Sequence, residues 1–154
     1  MKSNENIILI GLLIFFFLVL TSSIIKNSDE KMSNVENSLI TKITDGDTVI
    51  VKGGERVRLL GIDCDERGKA CYSVAKNYLE ENFLGKEVIL EKENEDEDIY
   101  GRKLRWIFVE GENLNKKLVE EGYCVARFDQ DSKYKDEVRV AEEFAIENKV
   151  GCKW

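Results

Sequence analysis

Hydrophobic positions fall along this chain in three regimes. From Ile7 to Ile25 there is no charged residue, and Ile7 to Leu20 is almost continuously apolar. At about 1.5 Å per helical residue such a run nearly crosses the ~30 Å hydrocarbon core of a bilayer. It leaves no polar face for a soluble domain. Residues 7–25 are therefore expected to be a transmembrane signal anchor behind a tail of residues 1–6. A cleaved signal peptide is the second choice, because Thr21-Ser22-Ser23 is a weak cleavage motif and no Ala-x-Ala occurs. Residues 26–38 are polar, aperiodic and rich in Ser and Asn, which is the composition of a linker.

From residue 39 onward the pattern changes to short β-branched runs alternating with helical periods. Val49-Ile50-Val51 and the run from Arg56 to Ile62 read as strands joined at Gly53-Gly54, a two-glycine hairpin signal. Cys71, Val74, Ala75, Tyr78, Leu79 and Phe83 recur at helical spacing, and Gly85 closes that helix. Residues 88–91 and 104–109 are strand-like on either side of an acidic stretch, read as a solvated hairpin tip. Leu114, Leu118 and Val119 give a short helix ending at Gly122, and Val138, Ala141 and Ala145 mark a last one. Short antiparallel strands with interposed helices predict an α+β, mainly β fold over residues 39–154: a five-stranded OB-type barrel with three helices.

Charge and composition narrow the chemistry. The chain has no histidine, which rules out Ser-His and Cys-His relays and the usual zinc sites. Acid-base work falls to carboxylates. Three of them, Asp47, Asp63 and Glu66, stand among apolar neighbours with Arg58 between them. The hairpin brings their strand ends together. Gathered carboxylate oxygens suit a hard cation such as calcium, Glu66 could deprotonate a water, and Arg58 offers a fork for a phosphate-like anion. Arg58 and Asp63 are five residues apart and on a regular strand would face opposite sides. Gly61 between them is the expected break. Singly, each residue has a plainer explanation as a turn or a solvated strand face.

Asp45-Gly46-Asp47-Thr48, the stretch from Arg58 to Asp63, Glu66, and Asp98-Ile99-Tyr100-Gly101-Arg102 resemble the staphylococcal nuclease family in order and spacing. The resemblance covers about residues 38 to 154. It implies Ca²⁺ ligands at Asp47, Asp63 and the backbone carbonyl of Cys64, a water-activating Glu66, and phosphate-binding arginines at Arg58 and Arg102. It also implies cleavage of DNA or RNA that leaves 3′-phosphate ends. Tyr100 is a candidate substrate-binding platform. This sequence departs from the family at Cys64-Asp65, where Thr-Pro is usual, and at Phe128, where a tyrosine is best known.

The net charge of −7 argues against tight nucleic-acid binding. Arg58, Arg67, Lys69, Arg102, Lys103, Arg105 and Arg127 are the cations expected to offset it on one side. Four cysteines in an exported domain suggest two disulfides, and Cys64–Cys71 with Cys124–Cys152 is the expected pairing. The leading expectation is thus a monomeric, calcium-dependent nuclease at the cell surface. Its rival is a non-catalytic OB-type module that binds nucleic acid or protein on a membrane anchor.

Overall fold

The computed structural model describes residues 14–19, 34–128 and 131–154. The chain divides into two units, Met1–Asn34 and Val35–Trp154. In the first, residues 14–19 are helical and carry exposed apolar side chains. The remainder of the expected anchor, and residues 20–33, lie outside the described residues. Among the described residues no helix is long and apolar enough to cross a membrane.

The second unit is built on a closed barrel. Its strands are β1 (Val35–Ile43), β2 (Thr48–Val51), β3 (Arg56–Leu59), β5 (Glu87–Glu91) and β6 (Lys103–Val109), with β4 (Ile62–Cys64) leaving the barrel after β3. β1 pairs antiparallel with β2 and with β5, β2 with β3, and β5 with β6. A parallel pairing of β3 with β6, Arg58 opposite Leu104, closes the cylinder. Closure gives each barrel strand a partner on both sides. β7 (Glu112–Asn113) folds back antiparallel on β6, and β8 (Cys124–Ala126) pairs with β4 to form a separate small sheet.

Inward-facing positions fill the barrel with Ile40, Val49, Val51, Val57, Leu59, Leu90 and Ile107, all buried. Three helices cover it: α1 (Tyr72–Phe83), α2 (Leu114–Glu120) and α3 (Lys135–Asn148). α1 buries Ala75 and Leu79, while α3 buries Val138, Ala141 and Ala145, the positions marked by the helical periods. Asn115 on α2 is fully buried and joins helix to barrel. Its Oδ1 accepts from the Ile107 N–H at 3.0 Å, and its Nδ2 donates to the carbonyls of Leu60 at 2.9 Å and Arg105 at 3.2 Å.

Three features differ from expectation. β1 starts at Val35, inside the stretch read as linker, because Val35 to Leu39 pair with Glu91 to Glu87 through the backbone. Their side chains stay largely outside the core, so no apolar alternation announces the strand. The disulfides are Cys64–Cys124 and Cys71–Cys152, not Cys64–Cys71 and Cys124–Cys152. Cys64 sits directly opposite Cys124 in the β4–β8 ladder, so the fold selects that partner. Finally, the acidic tip is not merely solvated. Asp96 pairs with Arg105 at 2.7 Å and Asp98 with Arg102 at 2.7 Å.

Candidate active site

The site is assembled where β2 begins and β3 ends. Asp45-Gly46-Asp47 makes a tight turn: Asp45 Oδ1 accepts the Asp47 N–H at 3.1 Å, and the Thr44 and Asp45 N–H groups donate to the Thr48 carbonyl. A Cβ at Gly46 would stand 2.8 Å from the Cys64 Cβ and 2.9 Å from the Ala75 Cβ. Only glycine lets this turn pack against β4 and α1. Asp47 is thereby turned inward, and its carbonyl accepts the Leu59 N–H at 2.8 Å.

Asp47 is the buried charge of the site, at 8% exposure. Its Oδ2 accepts the Cys64 N–H at 3.1 Å and faces Arg58 Nη1 at 3.1 Å, while its Oδ1 accepts the Thr48 hydroxyl at 3.1 Å. Burial pushes its carboxyl up to about 6. Arg58 and the Cys64 N–H pull against that rise, and Asp45 adds to it.

Arg58 spans two carboxylates. Its Nη2 lies 3.4 Å from Asp63 Oδ1 and also donates to the Ile62 carbonyl at 3.0 Å. Gly61 makes this possible, since β3 ends at Leu59 and the chain turns through Gly61 at φ +71° before β4 starts. A Cβ there would also fall 2.5 Å from Trp106 Cη2 and 2.6 Å from Phe128 Cε1. One residue therefore breaks the strand and makes room for two rings. On its other oxygen, Oδ2, Asp63 meets Arg127 Nη1 at 3.4 Å.

Arg102 reaches the same place from the far side. Its Nη1 donates to Thr48 Oγ1 at 3.3 Å, and its Nε donates to Asp98 Oδ2 at 2.7 Å. Asp98 Oδ1 accepts the Tyr100 and Arg102 N–H groups at 2.9 and 3.0 Å. Partial burial raises the Asp98 carboxyl, but those donors and the Arg102 charge outweigh it and hold the group below its ordinary range. Contacts thus run without a break from Asp98 through Arg102, Thr48, Asp47 and Arg58 to Asp63. Tyr100 is 69% exposed, with the Arg102 guanidinium 5.5 Å from its ring centroid.

Glu66 lies apart from this chain of contacts. It is exposed on the loop between β4 and α1, where its carbonyl accepts the Lys69 N–H at 3.0 Å. Neighbouring Asp65 has other partners: Oδ1 accepts from Lys153 Nζ at 2.6 Å and Oδ2 from the Cys71 N–H at 2.9 Å. The Lys153 hydrogen bond holds its carboxyl below the usual range.

Arg58, Arg102 and Arg127 line a cleft of about 500 Å³ with Leu60, Leu104 and Phe128. The other four expected cations do not line the cleft, and three of them are engaged elsewhere. Arg105 is buried against Asp96, Lys103 pairs with Glu55 at 2.6 Å, and Arg67 stacks over Tyr72 at 6.0 Å. Two residues that spacing gave no role, Thr48 and Asp98, thus carry the geometry, and Arg127, expected only as one of seven offsetting cations, meets Asp63. For Asp98 a signal existed in its i, i+4 relation to Arg102 across a turn.

Among the described residues no three acidic or cysteine side chains converge as a metal cluster. The expected ligand set needs only two carboxylates and a carbonyl. Asp47 and Asp63 are both within reach of one guanidinium and offer only hard oxygens, which suits calcium and not a soft metal.

Sequence comparisons add an independent line. A profile described as "Staphylococcal nuclease homologue" matches residues 56–154. The thermonuclease of Staphylococcus intermedius is 37% identical over 102 residues, covering 60% of this chain and 61% of that protein. The thermonuclease of Staphylococcus hyicus is 28% identical over 130 residues, with 78% and 77% covered. A protein of Haemophilus influenzae described as an uncharacterized endonuclease is 30% identical over 127 residues, with 80% and 65% covered. The chain thus spans less than two thirds of the first and third of these relatives.

Proposed function

This chain belongs to the staphylococcal nuclease family, and from that premise we propose that it hydrolyses phosphodiester bonds of DNA or RNA with the help of a bound Ca²⁺. The observation that carries the proposal is the contact chain joining Asp47 to both arginines, Arg58 directly and Arg102 through Thr48. Two guanidiniums and a buried carboxylate are costly to gather unless a ligand shares them.

Asp47, Asp63 and the Cys64 carbonyl would hold the cation, which when bound polarises a phosphate oxygen. The residues supply the rest. Arg58 and Arg102 grip the phosphate oxygens and stabilise the charge that builds as phosphorus becomes five-coordinate. Glu66, free of competing side-chain bonds among the described residues, takes a proton on a carboxylate oxygen from the attacking water. The new bond runs from water oxygen to phosphorus, and the 5′-oxygen leaves and takes up a proton. A 3′-phosphate end remains. Tyr100 offers a ring face for a base, and the apolar wall of Leu60, Leu104 and Phe128 shelters one side of the cleft.

We further place the domain outside the cell on an uncleaved anchor over residues 7–25. Two disulfides suit an oxidising compartment, and protease shaving of intact cells should remove the domain. The direct test incubates the full chain, in detergent, with single-stranded DNA and RNA in calcium or in chelator. Cleavage in calcium alone is expected. Binding without cleavage in both would favour the non-catalytic module.

A further inference from the structure

Glu66 has the least support of any residue in the proposed reaction. Residues 66–70 are all exposed, and the loop they form has no buried side chain to fix it. An exposed loop of this kind samples many conformations unless its ends are tied, yet general-base chemistry needs its carboxylate within hydrogen-bond reach of one water.

The ties are at the neck of the loop. Asp65, immediately before Glu66, accepts the Cys71 N–H at 2.9 Å and so closes the loop across its own base. The same carboxylate accepts from Lys153 Nζ at 2.6 Å. Both side chains are largely shielded, at 19% and 18% exposure, so this ion pair is screened less than most on the surface. Next to Lys153, Cys152 is bonded to Cys71. The C-terminal segment is itself fixed, because the Cys152 and Lys153 N–H groups both donate to the Gly122 carbonyl at 3.1 Å. Cys64, at the other end of the neck, is bonded to Cys124 of β8. The loop bearing Glu66 is therefore clamped to the β8 side of the molecule by two disulfides and one two-armed carboxylate.

We infer that Asp65 and Lys153 are positioning residues for Glu66, which makes the last turn of the chain part of what orients the water-activating carboxylate. Neither residue touches the phosphate site. The inference rests on the proposed role of Glu66, and it predicts an effect that acts through that residue alone.

Two substitutions preserve the fold while cutting the clamp. Lys153→Met keeps the aliphatic stem without the charge, and Asp65→Asn keeps an acceptor for the Cys71 N–H. Each should lower kcat about 10- to 100-fold, the scale of a small misplacement of a reacting group, with KM and calcium dependence unchanged. Lys153→Arg should restore most of the rate. In a Glu66→Gln background Lys153→Met should cost nothing further, since the group it positions is gone. Hydrogen exchange on the full chain supplies a readout that does not depend on catalysis: amides of residues 66–70 should exchange faster in both variants, with the barrel unchanged. Equal losses in the wild-type and Glu66→Gln backgrounds, or unchanged exchange in the loop, would overturn the inference. Should the wild type prove inactive while the loop still loosens, the nuclease proposal fails and the clamp stands.

Discussion

At the scale of single residues the site is a division of labour among charges. Among the described residues nothing hydrogen-bonds the Glu66 carboxylate, so Glu66→Gln removes proton transfer and little else. The expected outcome is a fall in kcat of about 10²-fold or more with substrate and calcium binding retained, measured by single-turnover cleavage; a fully active variant would remove Glu66 from the reaction. Asp98 acts one step back, by holding Arg102 at Nε. Its carboxyl is depressed in the folded protein, so its contribution to stability is present above the unfolded value of about 4 and is lost as pH falls through the lower folded value. Asp98→Asn should accordingly melt below wild type at neutral pH, with the gap closing in acid. A gap independent of pH would show that the charge is not what stabilises this turn.

At the scale of elements, α2 is pinned by one side chain. Asn115 satisfies three backbone groups of the barrel and of the β3–β4 turn. Replacing it with alanine takes the side-chain partner from the Ile107 N–H and the Leu60 carbonyl, while the Arg105 carbonyl keeps the Leu60 N–H at 3.0 Å; the expected loss is about 2–4 kcal/mol, which corresponds to roughly 10 °C in Tm for a domain of this size. Chemical denaturation of Asn115→Ala measures it, and a loss below the uncertainty of the fit would contradict the assignment. The disulfides also act between elements. With sequence separations of 60 and 81 they close long loops, and in the chain-entropy picture each restricts the unfolded chain by about 4 kcal/mol.

For the whole molecule, the net acidity extends into the cleft, where Glu93, Glu95, Asp98 and Asp131 stand beside three arginines. Burial already disfavours the charged form of Asp47, so a cation that binds it should stabilise the folded state by mass action. Calcium is expected to raise Tm, and Asp47→Ala to abolish that rise; an unchanged rise in the variant would take Asp47 out of the cation site. Among the described residues the cations that line the cleft are Arg58, Arg102 and Arg127. Three phosphate contacts on a single strand give a slope of about −2 for log affinity against log salt. Filter binding in chelator would measure it, and a much steeper slope would mean that cations outside the cleft share the contact.

What the sequence determined by itself was the local part. The turn at Asp45-Gly46, the hairpin through Gly53-Gly54, the helix running to Phe83 and the strand break at Gly61 depend on residues within a few positions of one another. Turn chemistry and hydrophobic period set such features before any distant contact forms. Partner choice was decided only in three dimensions. Four cysteines allow three pairings, and the β4–β8 register chose Cys124 for Cys64. Of seven candidate cations, three reach the cleft, because Asp96 and Glu55 meet Arg105 and Lys103 on the strands where they lie. Lys153 carries no local mark of its tie to Asp65, which is 88 residues earlier in the chain. Long-range pairs of this kind follow from strand order and barrel closure, which no local pattern encodes.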